Sequence, residues 1–291
     1  MRAINPSIVY TVISGFGAKG PRSADPAYDG AVQAAAGMMA NNGTAESGPL
    51  RTGYMPVDLM TGMTAAYATT AALLRKQKTG KGQMVDVAML DCAITLGSAN
   101  FSRSEVDDIP DMLIGNQSIA GAPTASSFPT AEGSILTAAI MPKHVEAFFD
   151  ELGLKEMVND PKFATPEARI ENKEIVRDAM IEALKSDTAE NWEKRLAPRG
   201  VPVAKINSVK ETARLEQLQY RNILTAVPPA KGMENGYRLP GAPFTNSEDG
   251  PEVMRPAPVL GQHTVEILEE IGIDKSAIST LAAEGVICKA G

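Results

Sequence analysis

Residues 7–14, SIVYTVIS, form a β-branched run closed by Pro6 and Gly15, the pattern of a buried strand. Residues 27–40, AYDGAVQAAAGMMA, are Ala-rich and read as a helix, with Asp25 and Pro26 as its N-terminal punctuation. Between Leu59 and Leu74 the only ionisable group is the Tyr67 phenol, which predicts a buried helix opening at Asp58. KTGKGQ then turns the chain into MVDVAML (84–90), alternating and β-branched, a strand. Asp91 is placed to cap a helix running to about Ala99. The order strand, helix, helix, strand, helix predicts α/β layers.

Residues 109–130 are rich in Pro, Gly, Ser and Asn and carry no periodicity, which marks a linker or active-site loop. SILTAAI (134–140) and GVPVAKI (200–206) read as strands, with helices between them at about 143–152, 166–185 and 189–197. Ser208 and Glu211 fit a capping box opening a helix near 209–219. GYRLPGAPFTNS is extended, and HTVEILEEIGI is a terminal helix stopped by Gly272. These signals divide the chain into a large α/β domain (1–108), a linker or active-site loop (109–130), a smaller α+β domain (131–220) and a return segment with C-terminal helices (221–291).

Composition narrows the class. With 291 residues, 44% hydrophobic and 22% charged, the chain can build a sizeable core in one large or two small domains. A net charge of -7 argues against a nucleic-acid or anionic-membrane partner. The densest basic stretch, RKQKTGKG at 75–82, reads as a solvated turn. Cys92 and Cys288 lie far apart without a CxxC neighbour, which suits a reducing compartment and argues against a disulfide or a metal site. No apolar run reaches the length of a membrane span, and MRAINPSIVY has no apolar signal region. The expectation is a cytoplasmic protein.

GFGAKG at 15–20 satisfies G-x-G-x-x-G after a strand, but Pro21 and RSADP follow where a dinucleotide site needs a helix. Residues 33–45 also contain no Asp or Glu to hold a ribose, so the loop is read only as a place where a ligand can approach backbone. His144 and His263 lie at helix starts, outside any nucleophile motif, and read as structural or exposed. That leaves Asp58, which is either an N-cap or a reagent.

Several stretches resemble, in order, one family, the class III CoA-transferases, which include formyl-CoA and carnitine CoA-transferases. They are NPSIVYTVISGFGAKGP, YDGAVQAAAGMM, RTGYMPVDLMTGMTAAYATTAALLRKQKTGKGQMVDVAMLD, GN at 115–116, RGVPVAKI, LPGAPFTNS and APVLGQHTVEILEEIGI. The resemblance implies an incomplete Rossmann-like large domain plus a smaller α+β domain, with the C-terminal segment returning to the large one. It implies that Asp58 is the nucleophile, attacking an acyl-CoA thioester to give a mixed anhydride. The helix N-terminus behind Asp58 would favour its ionised form, and backbone N–H groups of glycine-rich loops could stabilise the oxyanion. Ser14, Gly15, Phe16, Gly17 and Met89 would lie beside the CoA thiol arm, although Met89 reads equally well as core. Gly115 and Asn116 would lie near the acyl group. Coenzyme A enters as the acyl-CoA substrate and not as a resident cofactor, a small carboxylic acid is the acceptor, and the full-length form is expected to be an interlocked homodimer.

The family's racemase branch carries a His–Asp pair where this chain has Tyr28 and Asp29. A phenol titrates near pH ~10 and is a poor general base at neutrality, which favours transfer over racemisation. Members also carry roughly one hundred residues ahead of NPSIVY, a domain's worth of chain. The resemblance therefore also leaves room for a fragment that needs a partner segment.

Overall fold

A computed structural model of the protein describes residues 3–229, 232–250 and 255–288. The chain divides into two compact units, Met1–Ile206 and Asn207–Gly291.

The first unit opens with β1 (Tyr10–Ser14) and an irregular glycine-rich loop, then α1 (Asp29–Ala35) and a 3-10 turn (Met38–Asn41). A short antiparallel hairpin of β2 (Gly43–Thr44) and β3 (Gly48–Pro49) leads to the 24-residue α2 (Pro56–Thr79). The chain returns in β4 (Met84–Ala88), parallel to β1 with Tyr10 opposite Met84 and Ser14 opposite Ala88. A parallel pair requires such a crossover, and α1 and α2 supply it. Then follow α3 (Met89–Leu96) and α4 (Ser98–Asp107). This part of the unit has two small cores: Val32, Ala36, Val57 and Ala93 in one, Ala65, Val87 and Cys92 in the other.

Several boundaries differ from expectation, each for a local reason. Ile8 donates its N–H back to the Asn5 carbonyl, so the chain turns at residues 6–7 and the strand begins only at Tyr10, with Tyr10 and Ile13 exposed instead of buried. Tyr28, not Asp25 or Pro26, precedes α1, and the helix stops before Gly37, whose φ of 74° is left-handed. Met89 opens α3 directly, and Asp91 lies in its first turn instead of capping it.

The largest correction concerns α2. It runs past Leu74 to Thr79, and it is not buried all round: only Val57, Thr61, Ala65 and Ala72 are. Leu59, Met63, Tyr67 and Leu74 are 63%, 61%, 77% and 53% exposed. A two-stranded sheet of five-residue strands covers one side of a helix this long and no more.

The rest of the unit packs around an antiparallel sheet of β5 (Ser127–Pro129), β6 (Ser134–Thr137) and, beyond five helices, β7 (Val203–Lys205), in the order β5-β6-β7. The helices are α5 (Pro142–Glu151), α6 (Lys155–Asn159), α7 (Pro166–Glu171), α8 (Lys173–Leu184) and α9 (Ala189–Leu196). Phe128, Ile135, Phe148, Phe149, Met180 and Trp192 belong to its core. The expected helix at 166–185 breaks at Asn172, whose side-chain amide donates to the Lys162 and Ala168 carbonyls.

In the second unit, Ser208 and Glu211 form both halves of the expected capping box at α10 (Val209–Thr212), and the chain re-enters helix at α11 (Glu216–Tyr220). β8 (Leu224–Val227) and β9 (Tyr237–Pro240) pair antiparallel. α12 (Thr264–Glu270) ends before Gly272, and α13 (Lys275–Ala283), capped by Asp274, follows.

Candidate active site

The residues of interest gather at the carboxyl ends of β1 and β4, the edge where open α/β sheets take ligands. Ser14 ends β1, and its Oγ accepts the Gly17 N–H at 3.0 Å. The Asp86 carboxylate, on β4, accepts the Ala18 N–H. The Gly15 carbonyl accepts the Leu90 N–H at 3.0 Å, which pins the loop to the start of α3. Phe16 is covered by the Arg22 guanidinium, 3.7 Å from the ring centroid. A Cβ on Gly15 would overlap the Cβ of Ala27, so only glycine lets this loop lie against the entry to α1.

Asp58 stands in the first turn of α2, at its third residue, and its side chain is exposed. It is not the N-cap; Met55 holds that position and contributes no side-chain bond. Pro56 has no N–H to satisfy at the first helical position. The next two N–H groups, of Val57 and Asp58, both donate to Oδ2 of Asp29, at 2.8 and 3.1 Å. Asp29 is only 6% exposed, and it is the cap of a helix 28 residues away in sequence. Charge-assisted bonds to the positive end of the α2 dipole compensate the burial of that carboxylate. The Asp58 carboxylate, by contrast, has no hydrogen-bond or ion-pair partner among the described residues. It is a free carboxylate on a rigidly held turn.

Of the residues singled out from sequence, Gly15 lies against Ala27 at the entry to α1 and Met89 packs in the cluster that holds Val57, next to Asp58, while Ser14 and Gly17 are bonded to each other within their loop. Met89 is half-buried against the cluster of Val32, Val57 and Ala93, so it is both core and neighbour of the site. Gly115 and Asn116 are bonded elsewhere: Gly115 N–H donates to the Gly43 carbonyl at 2.6 Å, and Asn116 Nδ2 donates to Ser127 Oγ at 3.0 Å. Gly115 has a left-handed φ of 56°, and a Cβ there would come within 3.0 Å of Thr44 Cγ2, so the loop is fitted to the β2–β3 hairpin.

The sequence model of CoA-transferase family III matches residues 1–264.

This chain belongs to CoA-transferase family III.

An acyl-CoA transferase of Fusarium pseudograminearum is 30% identical over 290 residues, 99% of this chain and 63% of that protein. A succinate–glutarate CoA-transferase of Agrobacterium fabrum is 29% identical, covering 93% of this chain and 67% of the relative. A formyl-CoA:oxalate CoA-transferase of Streptomyces avermitilis is 30% identical, covering 99% and 73%. The crystal structure of a CAIB/BAIF family protein from Brucella suis superposes with a TM-score of 0.77 at 25% identity, over 93% of this chain and 69% of that one. This family III chain thus spans about two thirds of the length of such relatives, and over that span it has their mixed α/β fold. No helix among its described residues is long and apolar enough to cross a membrane.

Gln33 escapes a reading by motif, and the motif that marks Asp29 says nothing of its task as the cap of α2. The available signal is their spacing: an acid and an amide at i and i+4 share one face of an otherwise Ala-rich helix.

Proposed function

We propose that the protein transfers coenzyme A between an acyl-CoA and a free carboxylic acid, with Asp58 as nucleophile. The carrying observation is the unpartnered Asp58 carboxylate on a helix turn whose own N–H groups are already taken by Asp29, in a chain of CoA-transferase family III. A carboxylate of similar energy to the exchanging acids suits thioester exchange. An Asp58 oxygen attacks the thioester carbonyl carbon; the C–O bond forms, the C–S bond breaks, and its electron pair leaves with the CoA thiolate. The thiolate then attacks the Asp58 carbonyl of the mixed anhydride, releasing the first acid as its carboxylate and leaving an aspartyl-CoA thioester. The acceptor carboxylate attacks that thioester and expels the thiolate. The thiolate finally attacks the acceptor's acyl carbon, giving the new acyl-CoA and restoring Asp58. No proton is gained or lost over the cycle.

The loop at Ser14 to Gly17, with Met89, is the proposed seat of the thiol arm, because Gly15 is bonded to Leu90 and Met89 packs in the cluster that holds Val57, the neighbour of Asp58. Gly115 and Asn116 are proposed to face the acyl group in the assembled enzyme, which we take to be a homodimer. In the same reading, β1, β4 and α1 to α3 belong to a Rossmann-like large domain. Tyr28 is 85% exposed, which leaves a racemase-type proton transfer without a held base at that position.

Incubation with acyl-CoA is expected to leave a hydroxylamine-sensitive adduct on the peptide containing Asp58, read by mass spectrometry, and Asp58→Asn is expected to abolish it. A chain that binds CoA yet forms no adduct refutes the assignment.

A further inference from the structure

Gln33 is 1% exposed, and its amide is locked on both ends. Nε2 donates to Oδ1 of Asp29 at 2.6 Å and to Oγ1 of Thr52 at 2.9 Å, while Oε1 accepts the Thr52 N–H at 3.0 Å. Thr52 Oγ1 donates in turn to the Tyr54 carbonyl at 2.9 Å. Turning the amide over would set its oxygen against the Asp29 carboxylate and its NH2 against the Thr52 N–H, so one orientation satisfies every partner. Gln33 thereby fixes Oδ1 of Asp29, which aims Oδ2 at the N–H groups of Val57 and Asp58. It also anchors Thr52, on the segment that enters α2. The turn carrying Asp58 is held on both sides by one side chain that is far from it in sequence.

We infer that Gln33 is a positioning residue for Asp58, acting through the Asp29 cap and the Thr52 anchor. This rests on Asp58 being the nucleophile. A buried, fully bonded amide of this kind resists movement, because each partner it releases is a buried polar group left unsatisfied. An attacking oxygen must be held close to its line of approach, and a shift of about 1 Å costs on the order of 100-fold in rate.

The test uses the whole 291-residue chain and an acyl-CoA. Gln33→Glu keeps the size but places a second carboxylate against Oδ1 of Asp29. Adduct formation at saturating acyl-CoA is expected to slow by about 10- to 100-fold, with acyl-CoA affinity unchanged. Amide hydrogen exchange at Val57 and Asp58 is expected to accelerate. The double variant Asp29→Asn with Gln33→Glu reverses the donor and acceptor of that bond while leaving the bond to Thr52 Oγ1 unmade, and it is expected to recover part of the rate lost in Gln33→Glu. A normal rate in Gln33→Glu, a slowed rate with unchanged exchange at Val57 and Asp58, or a loss confined to affinity overturns the inference. Should Gln33→Glu fail to fold, Thr52→Val, at a half-buried position, decides: it deletes one partner of the Gln33 amide, and an undiminished rate refutes the relay. Absence of adduct on the unmodified chain, with CoA bound, refutes the transferase reading and this inference with it. A normal adduct there with an undiminished variant rate refutes this inference alone.

Discussion

At Gly15 the lack of a side chain is a matter of space: a methyl group would meet Ala27, two residues ahead of the Asp29 carboxylate. Gly15→Ala is expected to lower stability by about 1–3 kcal/mol, read from urea midpoints. It is also expected to weaken CoA binding, read by titration calorimetry, because the loop can make room only by leaving its bond to Leu90. Asp58 and Asp29 illustrate how far single residues were legible. Asp58 is singled out by its place before an apolar run and by the blocks around it. Which carboxylate caps the helix was not legible, because a cap from a distant helix has no local sequence signature. Spacing ranks Asp58 as the cap; geometry gives that task to Asp29 and leaves Asp58 free.

Among the elements, α2 joins a buried seam to a bare face. Val57 is fully buried beside Asp58, and Val57→Ala is expected to cost about 1–3 kcal/mol. Leu74, more than half exposed, tolerates Leu74→Gln within about 0.5 kcal/mol. Denaturant midpoints of the two variants check the contrast. The apolar run between 59 and 74 was legible as a helix, but its burial was not, since that depends on how many strands the helix covers. In the region of β5 to β7, α5 is tied to α9 by the ion pair from Arg195 to Glu151, and to the turn after α9 by ion pairs from Arg199 to Asp150 and Glu151. The hydrogen bond from Arg199 holds both carboxylates below their ordinary range. Their contribution to stability is therefore complete above that range and is lost as the pH falls through their lower folded values. Trp192, the chain's single tryptophan, sits in this core and reports it by fluorescence. Acid unfolding followed at Trp192 is expected to begin at higher pH in Arg199→Gln, because the carboxylates then titrate nearer their ordinary values.

At the scale of the whole molecule, the alternation of strand and helix was enough to predict α/β layering, and β1 and β4 do pair parallel across α1 and α2. Two strands of the antiparallel sheet, β6 and β7, and the helices at about 143–152 and 189–197 were likewise legible because their apolar patterns are strong, whereas β5 lies in the run that reads as a linker. The helices α4, α6 and α13 were not, since α6 is brief and the apolar patterns of α4 and α13 are interrupted by polar residues. The sequence by itself determined the types of the strongly periodic elements, the absence of a helix after GFGAKG and the membership in CoA-transferase family III, because local periodicity, turn chemistry and long matching blocks are all properties of the chain. Only the tertiary structure decided which groups meet. Asp29 and Gln33 come from α1 and Thr52 from the segment that enters α2, and their bonds around the Asp58 turn exist because the parallel crossover brings the starts of α1 and α2 to one edge of the sheet. Hydrogen bonds between such distant residues are set by packing, which no local pattern encodes.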